Sequence, residues 1–226
     1  MKTKTAILIF ANSAEKELTS KSISSSDFFN LLDSDTVKTV KKTNLPYFHF
    51  SEKEQIGSSF GERFTNAIET VFNKGFEHVI SLGNDIPHLR ASHILKATQN
   101  LATTDYVLGP STDGGFYLMG FKKTHFNKTS FQNLPWQTAK LRQRLNTELQ
   151  HQNESVSYLE ILTDIDDVSD IDSVLESFKT LDFKIKRLLL ILRKTIKTIV
   201  TSASVFQYAT VFESPYNKGS PISLHI

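Results

Sequence analysis

The stretch from His78 to Pro87, HVISLGNDIP, decides the fold of this chain. Five residues of strand length and apolar character, His78–Leu82, run directly into the triplet Gly-Asn-Asp at 83–85. Pro87 has no backbone N–H, so it ends the strand and fixes the loop. A strand that ends in an acidic loop is typical of α/β proteins, which bind ligands at the carboxyl ends of their strands.

Outward from this stretch, apolar segments of strand length alternate with helical patterns. Strands separated by helices of about ten residues or more predict βαβ units, a mainly parallel sheet flanked by helices, and therefore an α/β fold. The predicted strands are Thr5–Phe10, Pro46–Phe50, His78–Leu82, Tyr106–Leu108, Phe116–Phe121 and Val156–Leu162. The predicted helices are Gly61–Lys74, Ala91–Leu101, Thr138–Gln150 and Val168–Phe178.

Composition excludes several classes of protein. Of the 226 residues, 39% are hydrophobic and 22% are charged, which is enough for a packed core and too apolar for wholesale disorder. The absence of cysteine excludes disulfides, thiol nucleophiles and cysteine-ligated zinc. A net charge of only +2 argues against general nucleic-acid binding. HExxH does not occur, and no apolar run approaches the ~20 residues that span a bilayer.

The charge is distributed unevenly, and this divides the chain. Residues 181–226 carry a net charge of +5, whereas residues 1–180 carry −3. We therefore expect one nucleotide-sugar transferase-like domain over 1–180, followed over 181–226 by a basic amphipathic helix and a loose terminus. A cytoplasmic location is expected, since the first apolar segment is too short for a secretory signal.

Residues 184–206 predict the amphipathic helix. At about 100° per residue one face is apolar, while Leu190 and Ile191 break the pattern. This face comprises Ile185, Leu188, Leu189, Leu192, Ile196, Ile199, Val200, Ala203 and Phe206. The helix either lies on anionic lipid at the inner face of the membrane or packs on the domain or a second copy of the chain.

Acidic side chains follow two of the predicted strands. Asp85 suits Mg²⁺ or Mn²⁺, which would in turn bind phosphate oxygens, or it caps the next helix. Alternation after the strand Val156–Leu162 places Asp164 and Asp166 on one face, where paired carboxylates suit a divalent cation. The alternative there is a helix start capped by Asp167.

Two glycine-containing loops also stand out. In the loop 109–116, GPSTDGGF, the two glycines permit positive φ and a close approach of the backbone to a ligand, although Asp-Gly is also a hairpin signal. The loop 55–63, QIGSSFGER, runs into a helix whose N–H groups suit an anion. Its simpler interpretation is a capped helix start, with Ser59 as the cap and Glu62 three residues later.

Five motifs occur in an order that resembles one bacterial family: QIGSSFGERFTNAI, SLGNDIPHL, YVLGPSTDGGFYLMGF, LPWQT and LTDIDDVSDI. It is the family of GT-A-type, glycosyltransferase-like proteins, some of them linked to arsenosugar biosynthesis. It is related to phospholactate guanylyltransferase and to nucleotide-diphospho-sugar transferases. The resemblance covers residues 5–172 and implies a Rossmann-like GT-A fold.

The resemblance also implies roles for individual residues. The expected cofactor is Mg²⁺ or Mn²⁺, with ligands Asp85, Asp164 and Asp166. The residues implied for nucleotide binding are Gly57, Gly61, Glu62, Arg63, Asn84 and Asp85. The sugar or acceptor is expected beside Gly114, Gly115 and Trp136, and the catalytic residue implied is Asp113.

One segment departs from the family pattern. Relatives have a proline- and glycine-containing loop ending in Lys-Thr-Arg after the first strand, whereas residues 11–21 read ANSAEKELTSK. The glycine and arginine are missing, Glu15 and Glu17 would repel a polyphosphate, and the nearest cations are Lys16 and Lys21. Nucleotidyl transfer needs cations around the attacked phosphorus, so this loss affects it more than it affects sugar transfer.

These features predict a metal-dependent glycosyltransferase that moves a sugar from a nucleotide-sugar to a small-molecule or lipid acceptor. The first alternative is a guanylyltransferase-like nucleotidyltransferase that acts on a phosphorylated small molecule. The second is a non-catalytic module that binds a nucleotide or a membrane.

Overall fold

The computed structural model describes residues 4–195 and residue 198. Its strands are β1 (Thr5–Phe10), β2 (Tyr47–Phe50), β3 (His78–Leu82), β4 (Tyr106–Pro110), β5 (Phe116–Lys122) and β6 (Val156–Tyr158). Its helices are α1 (Ala14–Ser20), α2 (Ser26–Lys41), α3 (Phe60–Asn73), α4 (Ala91–Asn100), α5 (Lys128–Gln132), α6 (Leu141–His151) and α7 (Val168–Glu176). Residues 183–195 form a further helix, α8.

The six strands form one mixed sheet in the order β2-β1-β3-β5-β4-β6. β1 pairs in parallel with β2 and β3, and β4 pairs in parallel with β6. β5 is antiparallel to both of its neighbours, β3 and β4. Five strands therefore point the same way, as the mainly parallel prediction requires, and β5 returns the chain between β3 and β4.

Helices cover both faces of the sheet because successive strand residues alternate between them. Ala6, Leu8 and Phe10 pack with α3, α5 and α6 on one face. Ile7 and Ile9 pack with α2 and α4 on the other. β1 and β3, which both lie inside the sheet, are buried along their whole length, so they read as continuous apolar runs.

Most predicted elements are confirmed to within a few residues, but the segment between β1 and β2 is not. It contains two helices, α1 and α2, that the sequence analysis did not identify; their N-caps are Ser13 and Ser25. The predicted strand Val156–Leu162 is too long, because β6 ends at Tyr158 and only Leu162 makes a further, isolated bridge.

The C-terminal helix decides between the two alternatives stated for its predicted apolar face. Ile185 and Leu189 are fully buried in a cluster with residues of α2 and α7, and Leu188 and Leu192 pack against the same cluster. The apolar face predicted for a lipid surface therefore packs on the domain over this part of the helix. The rest of that predicted face, from Ile196 to Phe206, lies outside the described residues. No helix among the described residues is both long and apolar enough to cross a bilayer.

Candidate functional site

A cavity of about 460 Å³ opens at the carboxyl edge of the sheet. The chain leaves β1 towards β2 on one side and returns to β3 on the other, so the strand order reverses between β1 and β3. Loops that leave such a point in opposite directions form a crevice, where ligands of open α/β sheets bind. Asn12 after β1 and Asn84 after β3 both line the cavity.

Lys21, one residue beyond α1, reaches into the acidic part of the site. Its Nζ lies 2.8 Å from Oδ2 of Asp85, 2.8 Å from Oδ1 of Asp166 and 3.5 Å from Oε2 of Glu17. It also donates a hydrogen bond of 3.0 Å to the carbonyl of Ile165. Burial alone would lower the pKa of Lys21, but the three carboxylates outweigh it and raise the pKa well above its usual value. The ammonium is therefore charged at any physiological pH.

A second acidic group lies beside this ion pair. Carboxylate oxygens of Asp113, Asp164 and Asp166 all lie within 4.8 Å of one another. Burial and the neighbouring carboxylates, chiefly those of Asp113 and Asp85, raise the pKa of Asp164 to about 7. The group therefore carries more negative charge than the protein neutralises, and Asp164 holds its proton to a higher pH than an ordinary aspartate does.

The hairpin between β4 and β5 positions Asp113. Oδ1 of Asp113 accepts hydrogen bonds from the Ser111 hydroxyl and, at 2.8 Å, from the N–H of Gly115. Gly114 has a φ of +98°, a conformation that favours glycine, so the turn depends on it. The hairpin interpretation of this loop is confirmed, and the same turn directs Asp113 to the cavity.

The charges around the cavity are predominantly negative. Among the described residues that line it, one is a base, Arg63, and five are acids: Glu17, Asp85, Asp113, Asp164 and Asp166. Lys21 neutralises part of this charge. A nucleotide phosphate entering alone would still be repelled, so the site requires added positive charge before it can hold a diphosphate.

The opposite wall of the cavity is aromatic. Trp136 packs against Phe60 and Phe64 with ring centroids 5.2 and 4.9 Å apart, and its Nε1–H donates a 2.7 Å hydrogen bond to the carbonyl of Phe131. Phe10 and Phe116 also line the cavity. A rigid aromatic face beside an acidic one suits a ligand with a flat or ring-shaped apolar part and a charged part.

Several residues implied for binding lie away from the cavity and have structural roles. Glu62 closes a capping box with Ser59 at the start of α3, which confirms the simpler interpretation of that loop. Gly57 has a φ of +143°, and a Cβ there would lie 2.7 Å from Cβ of Glu62. At Gly61 a Cβ would lie 2.3 Å from the carbonyl oxygen of Gln132, so this glycine lets α3 approach α5. Gly114 serves the hairpin turn.

The other implied residues do meet at the cavity, namely Arg63, Asn84, Asp85, Asp113, Gly115, Trp136, Asp164 and Asp166. Asn84 is buried, and its Nδ2 donates a 3.2 Å hydrogen bond to Oδ1 of Asp33. The segment that joins Asp164 to Asp166 is tied to the loop after β3, since the N–H of Ile165 donates to the carbonyl of Asp85 at 3.0 Å.

The sequence analysis missed three contributors to the site. It named Glu17 only as a source of repulsion, yet this side chain is buried, lines the cavity and accepts a 2.8 Å hydrogen bond from Asn12. It named Lys21 only as one of the two nearest cations, and a predicted helix over residues 14–20 would have been the signal that brings Lys21 to the site. Gln137 lines the cavity at a φ of +60°, an uncommon conformation for glutamine that often marks a functional position.

The acidic group fits a divalent cation. Mg²⁺ and Mn²⁺ prefer carboxylate oxygens, and the three carboxylates of this group, of which Asp166 is also paired with Lys21, provide them. Asp164 and Asp166 were expected as ligands and belong to this group. Asp85 was also expected, but it lies outside this group, which contains Asp113 instead; Lys21 pairs with both Asp85 and Asp166.

The Rossmann-like α/β fold of this chain is also found in a solved structure. A proposed nucleotide-diphospho-sugar transferase from Desulfovibrio desulfuricans G20 has the same fold, with a TM-score of 0.72 and 20% identity over 85% of this chain and 98% of that one. Residues 32–138 match the sequence profile of a family described as an uncharacterized protein conserved in bacteria, DUF2064. This match confirms, over that segment, the resemblance found from the motifs.

Two further solved structures match with lower TM-scores. Rv0371c from Mycobacterium tuberculosis H37Rv, in complex with manganese, has a TM-score of 0.47 and 12% identity over 77% of this chain and all of that one. A CMP:2-keto-3-deoxy-manno-octonic acid synthetase in complex with CTP has a TM-score of 0.43 and 11% identity over 77% and 97%. No functionally curated protein matches the chain by sequence.

Proposed function

We propose that the protein is a divalent-cation-dependent glycosyltransferase that moves a sugar from a nucleotide-sugar to an acceptor hydroxyl. The observation that carries this proposal is the charge of the cavity. It has an acidic group of Asp113, Asp164 and Asp166 at the carboxyl edge of the sheet, in a fold of the nucleotide-diphospho-sugar transferase class. Such a site binds a diphosphate only together with a divalent cation, which contacts both the carboxylates and the phosphate oxygens.

In this proposal the acidic group holds the cation and the aromatic wall holds an uncharged part of the donor. Asp164 and Asp166 would be ligands, since they are the members of the group on the loop after β6. A divalent ion bound there supplies positive charge to the departing diphosphate. Trp136 offers a face for the ring of the sugar or the nucleobase, and Arg63 is the lining cation available to phosphate oxygens.

Asp113 would act on the acceptor. Because Ser111 and Gly115 occupy its Oδ1, its second oxygen is free to accept a proton. In the transfer step the bond between the anomeric carbon and the diphosphate oxygen breaks, and a bond forms from the acceptor oxygen to that carbon. The proton of the acceptor hydroxyl passes to Asp113, and the nucleoside diphosphate leaves.

The same charge count argues against nucleotidyl transfer. That reaction needs several cations around the attacked phosphorus of a triphosphate. One arginine lines the cavity within the described chain, and Lys21 is already paired with three carboxylates. We therefore favour the sugar-transfer reaction.

A thermal-shift screen tests the proposal. Nucleoside diphosphates, triphosphates and nucleotide-sugars are each tested with and without Mn²⁺ or Mg²⁺. A ligand at 100 times its Kd stabilises the protein by about 2.7 kcal/mol, which is readily measured. We expect a shift with a nucleotide-sugar that depends on the metal, and slow release of the nucleoside diphosphate that Asp113→Asn abolishes. Pyrophosphate release from a triphosphate, or no shift with any nucleotide, would overturn the proposal.

A further inference from the structure

The helix α8 presents a second apolar face to solvent, opposite the face that packs on the domain. Ile185 and Leu189 are fully buried beneath it. On the outer side, Phe183 is 77% exposed, Leu190 is 46% exposed and Ile191 is 50% exposed. Leu190 and Ile191 are the residues that broke the amphipathic pattern, and the structure accounts for them as part of this outer face.

Basic side chains share the outer face. Lys186, Arg187 and Lys194 are exposed and alternate with the apolar residues at the spacing of one helix face, so that 183, 186, 187, 190, 191 and 194 lie on one side. Residues 183–195 include no acid. Within the described chain none of these three cations forms an ion pair, whereas Arg193, at the edge of the buried face, pairs with Asp172 at 2.5 Å.

An exposed helix face on which apolar and basic side chains alternate fits the surface of an anionic membrane. Burying the apolar side chains among acyl chains removes them from water, while lysine and arginine reach to the headgroups. A second copy of the same face would bring like charges together, which opposes self-association. We propose that the outer face of α8, comprising Phe183, Lys186, Arg187, Leu190, Ile191 and Lys194, docks on anionic lipid. This contact is independent of the transferase assignment and would hold the protein at the inner face of the membrane.

Vesicle sedimentation with the full chain tests the proposal. The probes are vesicles of phosphatidylcholine alone and of phosphatidylcholine mixed with phosphatidylserine, at low and high salt. We expect binding only with phosphatidylserine, weakened by salt. Lys186→Glu with Lys194→Glu should lower the partition coefficient at least roughly tenfold, because each base near an anionic surface contributes to binding. Leu190→Ser with Ile191→Ser should lower it as well, through loss of the inserted apolar area.

Control substitutions at exposed positions outside α8 test whether vesicle binding depends on this face or only on the overall charge and hydrophobicity of the protein. Lys96→Glu with Arg144→Glu reverses two exposed cations on α4 and α6, and Ile56→Ser removes an exposed apolar side chain. Both controls should bind vesicles like the unaltered chain. Absence of binding to phosphatidylserine vesicles, or equal losses in the controls and the α8 variants, would overturn the proposal. So would a dimer in analytical ultracentrifugation that dissociates on Leu190→Ser with Ile191→Ser, since a second copy would then cover the face.

Discussion

The ammonium of Lys21 lies 2.8 Å from Oδ2 of Asp85 and joins the end of α1 to the loop after β3. The Lys21 side chain is only 11% exposed, and the same nitrogen contacts Asp166 and Glu17. The charge of Asp85 is thus compensated before any ligand binds. Lys21 also pairs with Asp166, and the negative charge left for a metal lies on the rest of the acidic group of Asp113, Asp164 and Asp166.

Lys21→Met should destabilise the protein, because it leaves three carboxylates unpaired. Breaking a fully buried ion pair costs roughly 3–5 kcal/mol, and we expect about 2 kcal/mol here because Asp85 and Asp166 are partly exposed. Millimolar Mn²⁺ should recover much of the loss, since a divalent ion can then occupy the vacated position. Thermal unfolding with and without Mn²⁺ measures both effects.

Lys16→Met is the matched control, since Lys16 lies on the same helix and is exposed. It should change the free energy of unfolding by less than about 0.5 kcal/mol, as is usual for surface positions. Equal effects of the two substitutions would show that the Lys21 ion pairs contribute nothing specific.

The affinity for Mn²⁺ should depend more on Asp164 than on Asp85. Asp164→Asn removes a proposed ligand and should weaken binding by at least roughly tenfold, a loss that even an outer-shell partner can cause. Asp85→Asn should weaken it less, since this carboxylate acts only at a distance and Lys21 already neutralises it. Calorimetric titration of the two variants with Mn²⁺ decides between them. A larger loss for Asp85→Asn would restore Asp85 as a ligand.

The sequence predicted those parts of the site that follow from local patterns. It did not predict the parts that depend on packing between distant segments of the chain. The aspartates follow strands, and strand ends meet at one edge of a parallel sheet, so Asp85 and Asp166 could be placed together from local patterns. Lys21 could not, because its position depends on α1, a helix of seven residues with a weak local pattern. The outer face of α8 was also missed, since only packing decides which of two apolar faces is buried.

Stability should fall as the pH rises through the range set by Asp164. The folded state raises the pKa of Asp164 from 3.8 to about 7, so between these values it holds a proton that the unfolded chain has lost. The stabilisation from this group is complete below pH 3.8 and is lost by about pH 7. Asp164→Asn carries no charge at any pH, so without metal it should raise the free energy of unfolding at pH 8 and change it little at pH 4. Denaturant unfolding at the two pH values measures this.

The contribution of Asp105 to stability depends on pH in the opposite direction. Burial raises the pKa of Asp105, but hydrogen bonds from Ser155 and the charges of His125 and Lys122 outweigh this and lower the pKa to about 2. Its contribution is therefore present above pH 3.8 and lost as the pH falls through 2, so Asp105→Asn should destabilise the protein at pH 8. If Asp164→Asn also destabilised the protein at pH 8, the prediction would be wrong. The negative charge of Asp164 would then be stabilised by an interaction that the structure does not show.

Trp136 should report directly on binding in the cavity. It is the only tryptophan in the chain, and it lines the cavity with its indole N–H held by the carbonyl of Phe131. A ligand that contacts the ring changes its surroundings, so its emission should change as a nucleotide-sugar is added in the presence of Mn²⁺. The emission change should be half-maximal at a ligand concentration equal to the Kd found by thermal shift. Asp164→Asn should shift the emission titration and the thermal-shift titration by the same factor.

Substitution of Trp136 separates its packing from its contact with the ligand. Trp136→Phe loses the N–H donor but keeps an aromatic face beside Phe60 and Phe64. Because the face is what contacts the ligand, calorimetry should show nearly unchanged affinity. Trp136→Ala removes the face, and the affinity should fall by about 1–3 kcal/mol, the contribution of one stacked base, if the ring contacts the nucleobase. An unchanged emission during a titration that saturates by thermal shift would place the ligand outside this cavity, because no other tryptophan can mask the signal.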